Sequence, residues 1–156
     1  MTRGLRAQAS ELSRSWHELG SLLTSRRLQA SLHTGAASGL TPTKLRALSV
    51  LAESGARVGE LAERVGLDDT TATRLVDGLV AAGLVARHPS PDDRRVIALE
   101  LTRKGTELAA EVEARRVEFC RAVLTALGPD ERLELVRLTT KAANALRERS
   151  DELMAR

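Results

Sequence analysis

Proline occurs only at positions 42, 89, 91 and 129. Three long stretches of this chain can therefore run as uninterrupted helix, and nothing else in the sequence limits the architecture as much. Thr41-Pro42 has the form of an N-cap followed by proline at the first helical position, and Gly128-Pro129 reads as the stop of one helix and the start of the next. In the first stretch Leu5, Ala9, Leu12, Trp16, Leu19 and Leu23 recur at alternating spacings of four and three, a heptad-like stripe on a long helix that needs a partner. His33, Thr34, Gly35, Ser38 and Gly39 break that pattern. A second helix from about Pro42 then carries Leu45, Leu48 and Leu51 towards Gly55. Leu108, Val112, Phe119, Val123 and Leu127 form another stripe, and Leu135, Leu138, Ala142 and Ala145 repeat it beyond Pro129. Both ends of the chain are thus expected to be amphipathic helices. The middle segment, roughly 60 residues, is too small to cover both, so a homodimer with intertwined ends is expected.

Residues 84–101 differ in kind. Gly83-Leu84-Val85 and the alternating run Val96-Ile97-Ala98-Leu99-Glu100-Leu101 flank the polar segment His88 to Asp93, which predicts a two-stranded hairpin with a polar tip. Just before it, residues 58–80 have the grammar of a helix-turn-helix. Leu61, Ala62 and Val65 form the inner side of a short helix, Gly66 permits the turn, Leu67 plugs it, and Asp68 or Asp69 caps the second helix. On that second helix Ala72, Leu75, Val76 and Leu79 share one face, leaving Thr70, Thr71, Thr73, Arg74 and Asp77 on or near the other. Threonine hydroxyls can reach bases or phosphates, its methyl can touch thymine, and arginine can fork onto guanine. A polar surface helix is the competing reading, and the hairpin that follows at once weighs against it: helix-turn-helix plus hairpin is a winged helix. A tip bearing Arg94 and Arg95 suits a minor groove.

The run Asp93-Arg94-Arg95-Val96-Ile97-Ala98-Leu99-Glu100-Leu101-Thr102, continued by Arg103-Lys104-Gly105, resembles the Asp-x-Arg wing and Leu-Thr-x-x-Gly helix start of the MarR-type regulators. Thr71 to Asp77 and Gly83-Leu84-Val85 are similar to that family's recognition helix and its exit. The resemblance covers most of the chain and implies a winged-helix dimer that represses genes and releases DNA when a small ligand or oxidant arrives. It also implies that Arg95 enters the minor groove with Arg94 beside it, that Asp93 orients these arginines, and that Thr71, Thr73 and Arg74 read or anchor the major groove. The implied ligand crevice lies between the dimerisation helices and the winged domain, where Trp16, His17 and His33 are the candidates. Trp16 also falls on the heptad stripe, which favours interface packing.

Composition narrows the partner. The 24 Lys and Arg residues against 21 Asp and Glu leave a net charge of +3, and only Lys44, Lys104 and Lys141 are lysines, so the cations are mainly the forked guanidinium. Trp16 and Phe119 are the only aromatics, too few for a single-strand stacking platform. Between Leu40 and Leu101 eight cations face nine anions, a net of −1, so duplex binding depends on where the arginines sit. The single cysteine, Cys120, excludes an internal disulfide and suits a reducing cytoplasm. It is expected in the core, with oxidant sensing as the competing reading because Arg116 and Arg121 are near. His17, His33 and His88 are spaced too widely for a helix-borne metal pair, so no metal and no cofactor are expected. Charged residues interrupt the first thirty positions, and no segment approaches the ~20 apolar residues of a membrane span. No phosphate loop, nucleophile elbow or catalytic carboxylate pair is visible, so no enzyme is expected.

The expected architecture is mainly α with a small β-hairpin wing. Residues 1–39 form an N-terminal dimerisation helix and loop, 40–101 the winged helix-turn-helix, and 102–156 C-terminal dimerisation helices. The expected function is ligand-responsive repression by a cytoplasmic homodimer on pseudo-palindromic double-stranded DNA, with an effector of unknown identity. A winged-helix protein-interaction module and a non-specific architectural DNA-binding protein stay open at this point.

Overall fold

A computed structural model describes residues 3–32, 35–89 and 97–154. Along these the order is α1 (Arg3–Thr24), α2 (Arg26–Leu32), one 3-10 turn (Gly35–Ala37), α3 (Pro42–Glu53), α4 (Val58–Val65), α5 (Asp69–Ala81), β1 (Val85–Pro89), β2 (Ile97–Leu101), α6 (Arg103–Leu124) and α7 (Pro129–Met154). The chain divides into two units, Met1–Arg116 and Val117–Arg156.

The first unit holds the core, and its helices start and stop where local chemistry dictates. Thr41 Oγ1 accepts from the Lys44 amide at 3.3 Å to cap α3, whose next residue is Pro42. Leu45, Ala47, Leu48, Val50 and Leu51 fill the buried side of α3. At the start of α4 the Glu60 carboxylate reaches back to the Arg57 amide at 2.9 Å, half of a capping box. The helix ends at Gly66, whose φ of 75° is the left-handed conformation that glycine adopts without penalty; the Gly66 and Leu67 amides both close on the Ala62 carbonyl. Asp68, rather than Asp69, then caps α5.

β1 and β2 pair antiparallel with Val85 opposite Leu101 and Pro89 opposite Ile97. Leu99 is completely buried, and its backbone exchanges two hydrogen bonds with Ala56, donating at 2.8 Å and accepting at 3.3 Å. Such a two-stranded hairpin is marginal alone. Here it is seated by Val85 and Leu99 in a core shared with Leu48, Leu61, Val76, Leu79, Leu84, Leu108 and Val112. Each fully buried leucine contributes about 1.5–3 kcal/mol relative to exposure. The result is a winged helix, as the periodicity of residues 42–101 predicts.

The start of α6 explains the Leu-Thr-x-x-Gly spacing. Thr102 Oγ1 accepts from the Gly105 amide at 3.1 Å, an N-cap, and donates to the Gly83 carbonyl at 2.7 Å. The Thr102 amide donates to the Leu84 carbonyl at 3.0 Å. Gly105 then passes so close that a Cβ there would lie 2.0 Å from Leu84 O.

The N-terminal stripe differs from expectation in one respect. The long helix breaks at Ser25, whose hydroxyl accepts from the Leu28 amide at 3.4 Å and starts α2. A serine side chain competing for backbone partners in this way interrupts a helical ladder. Along α1 the apolar stripe is uncovered: Leu5, Leu12, Trp16, Leu19 and Leu23 are each 45–54% exposed.

The second unit contains the end of α6 and α7, joined at Gly128, whose amide donates to Glu131 Oε2 at 2.7 Å. Arg132 Nε donates to the Leu124 and Leu127 carbonyls at 2.8 and 2.9 Å, satisfying the end of α6. On α7, Leu133, Leu135, Val136, Leu138 and Leu146 are exposed. Cys120 is exposed too, which corrects the expected core position. It is the neighbouring Phe119, about 100° away around the helix, that is partly covered.

Candidate DNA interface

The second helix of the helix-turn-helix presents a continuous polar stripe. Thr70, Thr73, Arg74 and Asp77 stand at positions i, i+3, i+4 and i+7 of α5, and all four are exposed. Ala72, Val76 and Leu79 on the opposite face are buried, which fixes the rotation of the helix and therefore the direction of the stripe.

The hydroxyls on this helix are oriented by their neighbours. Asp68 Oδ1 accepts from the Thr71 amide at 2.9 Å, and Oδ2 accepts from Thr71 Oγ1 at 2.7 Å. Thr73 Oγ1 donates to the Asp69 carbonyl at 2.8 Å. Each hydroxyl thus uses its proton inside the protein and turns acceptor lone pairs outward; Thr71 is part of the cap as well as of the exposed surface. The Thr71 hydroxyl and then the Thr71 amide hold the Asp68 carboxyl below its ordinary value. A depressed folded-state value stabilises the helix start above the unfolded carboxylate range, and the effect is lost as pH falls through the folded value. Asp68→Ala is therefore expected to melt below wild type at neutral pH, with the gap narrowing as acid protonates Asp68. A gap constant with pH would contradict the cap's charge dependence.

Arg87 on β1 joins this surface without any sequence pattern to mark it. Its Nη2 lies 2.8 Å from Asp77 Oδ1, linking the hairpin to the polar stripe of α5. The partnership depends on the turn between α5 and β1, where Gly83 takes φ 67°, and no periodicity reveals it. Below the interface Arg64 pairs with Glu53, and Arg46 Nη2 donates to the Arg64 carbonyl at 3.1 Å, so α3 grips the end of α4 beside the turn.

The hairpin tip with Asp93, Arg94 and Arg95 lies outside the described residues, as does His33. Trp16 and His17 are exposed on α1. A cavity of about 370 Å³ is present elsewhere in the first unit, between α2, α3 and α6. Gln29, Leu32, Leu45, Arg46, Val112 and Arg116 are among its walls, and Gln29 Oε1 is buried there without a hydrogen-bond partner among the described residues. Among the described residues no three His, Cys, Asp or Glu side chains gather as a metal site, and no helix is long and apolar enough to cross a membrane.

Comparison with known proteins settles the family. The sequence profile of the MarR family matches residues 38–96, the segment containing α3 to β1. The HTH-type transcriptional repressor MdtR of Bacillus subtilis is 36% identical over 108 residues, spanning 69% of this chain and 70% of that protein. The chain belongs to the MarR family. A second Bacillus subtilis relative, the HTH-type transcriptional regulator YcgE, is 32% identical over 154 residues, 95% of this chain and 97% of its own. The solved structure of a MarR family protein from Bacillus stearothermophilus matches with a TM-score of 0.79 at 26% identity, covering 91% of this chain and 97% of that one. The MarR-type motifs noted in the sequence thus have structural reasons in this member: Thr102 caps α6, and Gly105 admits the Leu84 carbonyl.

Proposed function

We propose that this MarR-family protein is a homodimeric transcriptional repressor acting on a pseudo-palindromic DNA duplex in the cytoplasm. The observation that carries the reading is the exposed Thr70, Thr73 and Arg74 stripe on the second helix of the helix-turn-helix, its rotation fixed by the buried Ala72, Val76 and Leu79. In the major groove Arg74 forks onto a guanine or a phosphate, Thr70, Thr71 and Thr73 contact bases or backbone, and the N-terminus of α5 favours phosphate. Arg95 enters the flanking minor groove, with Arg94 beside it and Asp93 orienting both. Residues 40–101 do the reading, and the flanks 1–39 and 102–156 make the dimer. The uncovered stripe of α1 and the exposed leucines of α7 support that assignment, since apolar surface of this extent marks an interface. A small-molecule effector enters the cavity between α2, α3 and α6, where Arg46 and Arg116 supply donors. The relative MdtR is named a repressor, which supports the direction of regulation.

The reading is tested on a duplex that the protein itself selects from a random pool. Arg74→Ala is expected to weaken binding to that duplex by about 1–3 kcal/mol, roughly 5- to 150-fold, and to relax its sequence preference at one position of each half-site. Arg74→Ala binding as tightly and as selectively as wild type would remove α5 from the interface.

A further inference from the structure

An acidic side chain on a DNA-facing stripe needs explaining, because a carboxylate beside phosphates is repelled. Asp77 occupies the last position of the exposed stripe on α5, about two helical turns beyond Thr70 and on the same side as Arg74. Its partner is Arg87, at 2.8 Å, a solvent-exposed residue on the same side of β1 as the buried Val85.

The hairpin is anchored at its base by the buried Val85 and Leu99. Beyond that base Arg87, His88, Pro89 and Ile97 are exposed and Ala98 is half-buried, so apolar packing holds this part of the strands only weakly. Arg87 stands in register opposite Leu99, at the boundary between the anchored and the exposed portion. An ion pair here joins α5 to the hairpin where core packing gives out. With side chains 36% and 57% exposed, such a pair adds little to folding. Its geometric consequence is larger than its energetic one.

We infer that the Asp77–Arg87 pair is a positioning brace that sets the angle between α5 and the hairpin, so that major-groove and minor-groove contacts are made together. Asp77 itself touches no base; it acts through Arg87. The inference rests on the reading of α5 and the hairpin as the DNA interface. If that reading is wrong, the wild type selects no duplex, a failure distinct from the outcomes below.

The test compares Asp77→Ala, Arg87→Ala and the double variant on the selected duplex and on an unrelated one, across a salt series. Neutralising Asp77 removes a negative charge from the DNA side, so simple electrostatics predicts tighter binding everywhere. The brace predicts the opposite sign on the selected duplex: Asp77→Ala weakens it by about five- to tenfold, while the unrelated duplex is bound as before or more tightly. Arg87→Ala lowers selectivity to the same degree, and the double variant is no worse than the poorer single. Exchanging the charges, Asp77→Arg with Arg87→Asp, recovers part of the lost selectivity. The proposal is overturned if Asp77→Ala leaves the selected duplex unchanged or tightens it. It is equally overturned if Arg87→Ala weakens both duplexes alike, lowers the salt slope by about one, and adds its loss to that of Asp77→Ala, since Arg87 would then be a phosphate contact acting alone.

Discussion

Gly105→Ala is expected to lower the melting temperature by roughly 6–12 °C, the equivalent of about 3 kcal/mol in a chain of this size. The added Cβ would lie 2.0 Å from Leu84 O and 3.3 Å from Leu101 Cδ2. The first of these is a backbone carbonyl already receiving the Thr102 amide, so it cannot swing aside as a flexible side chain would. Relief requires α6 to move away from the base of the hairpin, pulling Leu108, Ala109 and Val112 out of register with the core. Overpacking of this kind costs 1–3 kcal/mol when side chains give way and more when the backbone must. Gly59 supplies the contrast: it lies inside α4, and an added Cβ would meet nothing within 4 Å, so Gly59→Ala is expected to raise stability by up to about 1 kcal/mol. Thermal unfolding followed by circular dichroism checks both. A Gly105→Ala protein that melts within a degree or two of wild type would contradict the close packing of α6 on Leu84.

Charging the N-terminal stripe is expected to have the largest effect on function. Leu12→Glu with Leu19→Glu places two carboxylates among Leu5, Trp16 and Leu23 on a helix face that the protomer leaves exposed. The protomer's core includes none of these side chains, so the winged helix keeps its fold. In the proposed dimer the same leucines are covered, each contributing about 1.5–3 kcal/mol of burial, and buried unpaired carboxylates add a further penalty. The double variant is therefore expected to sediment as a monomer where the wild type sediments as a dimer. Losing the second half-site removes the effective-concentration gain, so affinity for the selected duplex falls by about 10²- to 10⁴-fold. A double variant that remains dimeric would move the interface away from α1.

The residues that announce themselves in the sequence are those whose function depends on local geometry. Thr41 before Pro42, Gly66 between two apolar runs, and the buried face of α5 follow from capping, left-handed turns and helical period, and each is where those rules place it. What is not legible depends on separation in space. Arg87 lies ten residues from Asp77, and their meeting is set by the turn at Gly83 and the pinning of that turn by Thr102. The Ala56–Leu99 bridge is a single pair with no strand pattern around Ala56. At the helix break the Ser25 hydroxyl accepts from the Leu28 amide and Gln29 Nε2 donates to the Leu23 carbonyl at 2.6 Å, polar contacts that no apolar period records. Cys120 departs from its expected core position because an apolar neighbourhood in sequence is spread around all sides of a helix, and Phe119 and Leu124 are partly covered where Cys120 and Val123 are exposed. The cavity walls likewise come from α2, α3 and α6, three segments far apart in the chain.

Whether α5 and the hairpin of two protomers read one duplex is tested most directly by letting the protein choose its own DNA. Purified protein is incubated with a random-sequence duplex pool at moderate salt, and the bound molecules are recovered through repeated rounds and sequenced. Convergence is expected on one inverted repeat whose half-site centres lie about one helical turn, roughly 10 base pairs, apart. Retention of DNA without any shared motif, or no retention even at low salt, would contradict a dimer that reads two half-sites.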